Sequence, residues 1–188
     1  MMSESPLETT SPAETMPKLA PLLSYLDGLD GKADLAVIES KLHELDITRD
    51  DLAPVCRFGD KAYKRNTIAR GEWYELVCLC WRSGHCTPIH DHRGSACGFK
   101  VIEGVGTEIR FVETASGLIC PERTTRMEVG YVCVAGDADI HQIANMQGAG
   151  CDLITLHLYT PPLSRINTWK FAQATVEECA GGEGDLFD

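Results

Sequence analysis

Gly84-His-Cys-Thr-Pro-Ile-His90-Asp-His92-Arg-Gly-Ser-Ala-Cys97-Gly-Phe-Lys-Val-Ile-Glu-Gly104 is the stretch whose reading decides the fold. Along a strand successive side chains alternate between faces, so residues two apart share one. His90 and His92 can therefore aim two imidazoles at one metal from one face of a sheet. The natural third ligand is His141, set in Gly130-x10-His141-x3-Asn145 on a later strand. A lone histidine is most simply a surface or hydrogen-bonded core residue. A His-x-His pair opening a strand, answered downstream by His-x3-Asn, asks for a different explanation.

Outward from this stretch the period is two. Segments near 62–69, 74–81, 88–92, 97–103, 106–112, 129–134, 139–145 and 151–159 read as strands parted by Gly, Asp, Ser and Pro. Glu103-Gly104-Val105-Gly106 reads as a hairpin turn. Many short strands at even spacing predict an antiparallel sandwich or barrel. Before residue 60 the period is helical: Leu19, Leu22, Leu23 and Leu26, then Leu35, Ile38, Leu42 and Leu45. Thr48 and Asp51 are spaced as a capping box for a short third helix through Leu52 and Val55. The expected organisation is a disordered tail at 1–16, N-terminal helices at 17–58, a barrel at 59–170 and a mobile acidic tail at 171–188.

Composition removes several classes of function. The 188 residues suit one domain, and 44% are apolar, as in a globular protein. No run of about 18 apolar residues is present for a membrane helix, and the start, MMSESPLETTSPAETMP, lacks the basic-then-apolar pattern of a secretory signal. A net charge of −11 opposes binding to nucleic acid or anionic membranes. Nine cysteines, an odd number, point to free thiols in a reducing compartment, so a cytoplasmic protein is expected; a small-molecule partner and a monomer are the further expectations. The usual zinc pairs leave two to four residues between thiolates, and Cys78-x-Cys80 does not fit that spacing.

The two histidine segments carry a resemblance. Gly84-x5-His90-x-His92-x4-Cys97-x6-Gly104 is similar at every spacing to the first half of the cupin double signature, with Cys97 where most cupins have Glu. Gly130, His141 and Asn145 match the second half, with Gly136 and Ala138 replacing a Pro and a Gly of a turn. The resemblance implies a mainly β cupin, an antiparallel jelly-roll barrel, with a short N-terminal helical segment. Cys at the Glu position, Cys80-Trp81 ahead of His-Asp-His, Thr155-Leu-His157-Leu-Tyr159-Thr-Pro161-Pro162, and Tyr63-Lys64-Arg65-Asn66 together resemble the cysteine dioxygenase type I family, the thiol dioxygenase branch of the cupins. The likeness covers about residues 19–169.

That resemblance implies one Fe(II) per chain on His90, His92 and His141, O2 as co-substrate, and a small thiol, L-cysteine, oxidised to cysteine sulfinic acid. It implies a thioether between Cys97 and Tyr159 that accumulates with turnover. It also implies roles for Tyr159, His157 and Cys97 in catalysis, for Arg65, Tyr63 and Tyr159 in substrate binding, and for Thr155 behind His157. The residues agree with this on their own terms. Arg65 offers a planar fork that fits a carboxylate, with a surface ion pair as the plain alternative. Thr155, His157 and Tyr159 share a strand face, which permits a relay from threonine through histidine to the tyrosine hydroxyl, functional or merely structural. Three neutral imidazoles leave a divalent ion its full charge and one open side, suited to a thiolate, an amine and O2.

Other readings stay open. Relatives that oxidise 3-mercaptopropionate usually carry Gln at the Arg65 position and lack the Cys at 97, but Arg165 lies where some bacterial members place a second arginine. A non-catalytic cupin that binds a small molecule is the alternative from another class.

Overall fold

A computed structural model of the chain describes residues 11–170. Residues 1–10 of the tail expected at 1–16, and the whole tail expected at 171–188, lie outside them. Among the described residues ten strands form two five-stranded sheets, each antiparallel in every pairing. The strands are β1 (Lys64–Arg70), β2 (Glu75–Trp81), β3 (Ile89–His90), β4 (Ala96–Glu103), β5 (Gly106–Glu113), β6 (Ile119–Met127), β7 (Val132–Ala135), β8 (Ile140–Ala144), β9 (Leu153–Thr160) and β10 (Thr168–Trp169). One sheet runs β1-β2-β9-β4-β7 and the other β10-β3-β8-β5-β6.

The first sheet is covered on both faces, which explains why β2 and β9 are buried at every position. Its inner face contributes Val77, Leu79, Trp81, Cys97, Phe99, Val101, Leu153 and Tyr159 to the core between the sheets. On its outer face Leu76, Cys78, Cys80, Ile154, Leu156 and Leu158 pack under the helices. These are α1 (Pro12–Thr15), α2 (Ala20–Asp27) and α3 (Leu35–Glu44), with short 3-10 turns at Pro17–Leu19 and Asp50–Leu52.

Helix α3 starts on Asp34, whose carboxylate accepts from the Ala36 and Val37 amides. It lies across β4, where Gly98 leaves no room for more: a Cβ there would sit 2.6 Å from Ile38 Cγ2 and 3.1 Å from Leu42 Cδ1. The neighbouring Lys100 is buried and closes the far end of the helix, its Nζ donating to the carbonyls of Leu42 (2.9 Å), His43 and Leu45. A cation on the last carbonyls satisfies acceptors that have no partner inside the helix.

Three expectations are corrected. The ordered chain begins before residue 17: Ser11 and Glu14 form a reciprocal capping box, and Met16 is buried among the helices. The turn at Gly104 is tight, with φ +78°, yet it joins strands of opposite sheets rather than a hairpin pair. Asp51 accepts from both Thr48 N (2.8 Å) and Thr48 Oγ1 (2.9 Å), but only a 3-10 turn follows in place of a third helix. The pattern also left out β6 and β10. Strand β6 is an edge strand, mostly exposed and carrying Pro121, so neither face needs to be apolar.

Candidate metal centre

The second sheet brings the three histidines together. His90 stands opposite His141 in the β3–β8 register, and His92 follows at the end of β3. Ring centroids are 5.2 Å apart for His90 and His92, 4.8 Å for His90 and His141, and 4.9 Å for His92 and His141. One ring nitrogen from each lies within 4.8 Å of the other two, and all three residues are buried. Burial, reinforced by the His141 charge, pulls His90 down to about 4 and His92 to about 3. His90 and His92 are thus neutral at physiological pH, as ligands must be.

Hydrogen bonds fix which nitrogen is free. His90 Nδ1 donates to the Pro88 carbonyl at 2.9 Å, and His141 Nδ1 donates to Glu108 Oε1 at 2.9 Å. Both leave Nε2 as a lone pair. His92 Nδ1 is buried with no hydrogen-bond partner. This donor set of neutral nitrogens, converging from one side with an orphan among them, fits a divalent transition metal.

Glu108 is a residue that sequence reasoning missed. It lies on β5, fully buried, and burial raises its pKa while the His141 and Arg110 contacts outweigh that and hold it below the usual carboxylate value. Arg110 Nε donates to its second oxygen at 3.1 Å and the other arm reaches Asp139 at 3.0 Å. Glu108, Asp139 and His141 also come within ligand distance of one another, but Arg110 already supplies the cation that the two carboxylates share. No local motif marks Glu108, because its partner is 33 residues away and only the β5–β8 pairing unites them.

The opposite wall comes from the first sheet. Tyr63, Arg65, Leu79, Trp81, His157 and Tyr159 face the imidazoles across a small inner cavity. Tyr63 stacks on Trp81 with centroids 4.3 Å apart. Trp81, fully buried, donates its Nε1 hydrogen to Thr155 Oγ1 at 3.0 Å, and Thr155 Oγ1 is 2.9 Å from His157 Nε2. His157 is sandwiched near Phe99, centroids 4.9 Å, and its burial lowers its pKa well below the ordinary histidine value.

The relay considered from the sequence has its first link and lacks its second. The His157 ring runs nearly parallel to that of Tyr159 with centroids 6.1 Å apart, and the tyrosine hydroxyl accepts instead from Arg65 at 3.4 Å. A spacing of two puts side chains on one face without aligning their polar atoms along it. Cys97 is directly opposite Tyr159 in the β4–β9 register, with its buried thiol 3.9 Å from His157 Nδ1. Burial pushes the Cys97 thiol and the Tyr159 hydroxyl both upward, so both are protonated.

Arg65 lies at the mouth. Its guanidinium sits 5.1 Å above the Tyr159 ring and 3.6 Å from Glu75 Oε2, a buried carboxylate that the sequence did not single out. An outer cleft of about 370 Å³ opens here, lined by Tyr63, Arg65, Glu75, His90, Leu163 and Arg165 among others. Arg65 and Arg165 therefore border one entrance. Asp91 points away from the metal centre and pins the following segment, accepting from Asn167 N (2.7 Å) and Asn167 Nδ2 (2.6 Å). His85 serves a turn, its Nδ1 accepting from the Arg82 amide at 3.0 Å. Among the described residues no helix is long and apolar enough to cross a membrane.

The fold is that of known double-stranded β-helix proteins. A Klebsiella pneumoniae protein with such a domain superposes with a TM-score of 0.50 at 14% identity, covering 62% of this chain and 87% of that one. A Thermus thermophilus protein gives 0.50 at 15%, covering 59% and 94%. Closer in sequence is the cysteine dioxygenase type 1 of Rattus norvegicus, 27% identical over 150 residues, covering 77% of this chain and 74% of that protein. The Bos taurus protein of the same name is 25% identical over the same length and coverage. A family model described as "Cysteine dioxygenase type I" matches residues 1–172. A jelly-roll barrel, a buried cap of three histidines and a family match over nearly the whole length agree: the chain belongs to the cysteine dioxygenase type I family, within the cupins.

Proposed function

We propose that the protein is an Fe(II)-dependent thiol dioxygenase that converts L-cysteine and O2 to cysteine sulfinic acid. The observation that carries this reading is the pairing of a three-imidazole cap, which has no carboxylate facing its cavity, with an arginine at the mouth of that same cavity. Fe(II) held by Nε2 of His90 and His141 and by a nitrogen of His92 would supply both a Lewis acid for a thiolate and one-electron chemistry with O2. The overall change is balanced without an external reductant: RSH and O2 give RSO2H, two steps up the sulfur oxidation ladder.

The protein's own residues do the positioning. Arg65 receives the α-carboxylate with its planar fork, exchanging a 3.6 Å approach to Glu75 for two charge-assisted hydrogen bonds. The Tyr159 hydroxyl, already bonded to Arg65, orients that fork from the inner side. Tyr63 and Trp81 form an apolar wall that restricts the thiol to one entry direction. His157, neutral and bonded to Thr155, supports the Tyr159–Cys97 corner without placing a charge beside the imidazoles. Cys97 and Tyr159 are register partners, and a thioether between them would lose two hydrogens, about 2 Da, to the co-substrate O2 as oxidant.

Arg165 favours a second reading, since it borders the same cleft and offers another carboxylate partner for a thiol that lacks the amine as a metal donor, such as 3-mercaptopropionate, which is cysteine without its amino group. Iron-loaded protein is tested by comparing kcat/KM for L-cysteine and 3-mercaptopropionate from O2 uptake and sulfinate formation. A preference for cysteine is expected. A preference for the propionate overturns the substrate assignment, and no oxidation of any small thiol leaves a non-catalytic small-molecule-binding cupin.

A further inference from the structure

On the face of β2 turned away from the histidines, three cysteines meet. Cys78 and Cys80 point outward from the strand with their sulfurs 3.8 Å apart, and Cys56 arrives from the 3-10 turn at Asp50–Leu52 to place its sulfur 3.9 Å from that of Cys78. All three sulfurs lie within 4.8 Å of one another. The site is separate from the metal centre and independent of the function proposed above. The plain reading is that cysteine fills the core as a small apolar side chain. That reading accounts for Cys78 and Cys80, which are fully buried. It accounts less fully for Cys56, which packs on the edge of that core and is only partly buried.

We propose that Cys56, Cys78 and Cys80 form a trigonal thiolate site for a soft d10 cation of the Cu(I) kind. A point equidistant from three sulfurs with these separations lies about 2.2–2.5 Å from each, the range of a metal–thiolate bond. Thiolates select Cu(I) and Zn among common ions. Structural zinc takes four protein ligands, and no fourth His, Cys or carboxylate joins the three sulfurs among the described residues. Three-coordinate sulfur is the geometry that Cu(I) accepts.

The solvent side of the site suits one thiolate, at Cys56. Asn66 Nδ2 donates to Cys80 Sγ at 3.5 Å and is itself held by the carbonyls of Arg57 (3.0 Å) and Cys78 (3.2 Å). Hydrogen bonds from the other two thiols, with Arg49 and Arg57 close by, pull Cys56 below the ordinary thiol value, while the same contacts and burial hold Cys78 and Cys80 above it until a cation displaces their protons. Negative charge brought by ligand deprotonation is thus offset on the side open to solvent. Metal capture releases the protons carried by the thiols, so affinity falls as pH falls.

The test is anaerobic titration of the full-length protein with Cu(I) against a chromophoric Cu(I) chelator, followed by X-ray absorption of the copper. One equivalent is expected to be withdrawn from the chelator, with three sulfur neighbours and no nitrogen. His92→Ala, which disables the histidine centre, keeps that equivalent, and Cys56→Ser loses it. The proposal is overturned by no withdrawal, by nitrogen neighbours, by equal binding in Cys56→Ser, or by tighter uptake of Zn(II). A Cys56–Cys78 disulfide in anaerobically purified protein also overturns it. Absorption on the unmutated protein decides the matter even where Cys56→Ser does not fold.

Discussion

Glu108→Gln isolates the contribution of a residue that touches no substrate. In the native protein a fully buried carboxylate accepts the Nδ1 hydrogen of His141 at 2.9 Å, which fixes the tautomer and makes the opposite nitrogen a stronger donor. Glutamine keeps the shape and an oxygen in place but removes the charge. Arg110 retains Asp139 at 3.0 Å, so its own charge stays paired. Partners of this kind are worth about 10–100-fold in metal affinity, or about 1.4–2.7 kcal/mol. The variant should therefore bind Fe(II), or Co(II) as a surrogate, about 10–100-fold more weakly in a chelator competition at pH 7. Its circular dichroism and urea midpoint, measured beside it, should show that the barrel is intact. An unchanged metal Kd in a folded variant would refute the claim that Glu108 tunes the centre through His141.

Three further outcomes follow from the geometry. Arg65→Gln should lower kcat/KM for L-cysteine by about 1.5–3 kcal/mol of charged hydrogen bonding, yet barely affect cysteamine, which has no carboxylate; equal losses on both thiols would show that Arg65 acts otherwise. Gly98→Val should cost about 1–3 kcal/mol in a urea titration by overpacking, because its Cβ would meet Ile38 Cγ2 at 2.6 Å; an unshifted midpoint would mean that α3 moves freely. Metal-free protein should lose stability on acidification. His90 and His92 are depressed from 6.5 to about 4 and about 3, so the unfolded chain takes up protons first. Stability is complete above pH 6.5 and falls towards pH 3, with a slope of up to about 2.7 kcal/mol per pH unit for two groups. A urea midpoint that stays flat from pH 7 to 4 would contradict this.

Sequence alone determined what short-range periodicity can carry. His90 and His92 share a face because a strand repeats every two residues, and Leu35, Ile38 and Leu42 share one because a helix repeats every 3.6. The resemblance of both histidine segments to a cupin signature added His141 and the family. Tertiary structure decided everything that depends on which strands become neighbours. It set Glu108 behind His141, Glu75 beside Arg65, and Cys56 against Cys78 and Cys80, partners separated by 33, 10 and 22 or more residues. It turned the Gly104 corner between sheets, and it bonded Tyr159 to Arg65 rather than to His157. The physical reason is that a face is a local property of the backbone, whereas a contact requires register, sheet order and the direction of individual polar atoms, which only the folded chain sets.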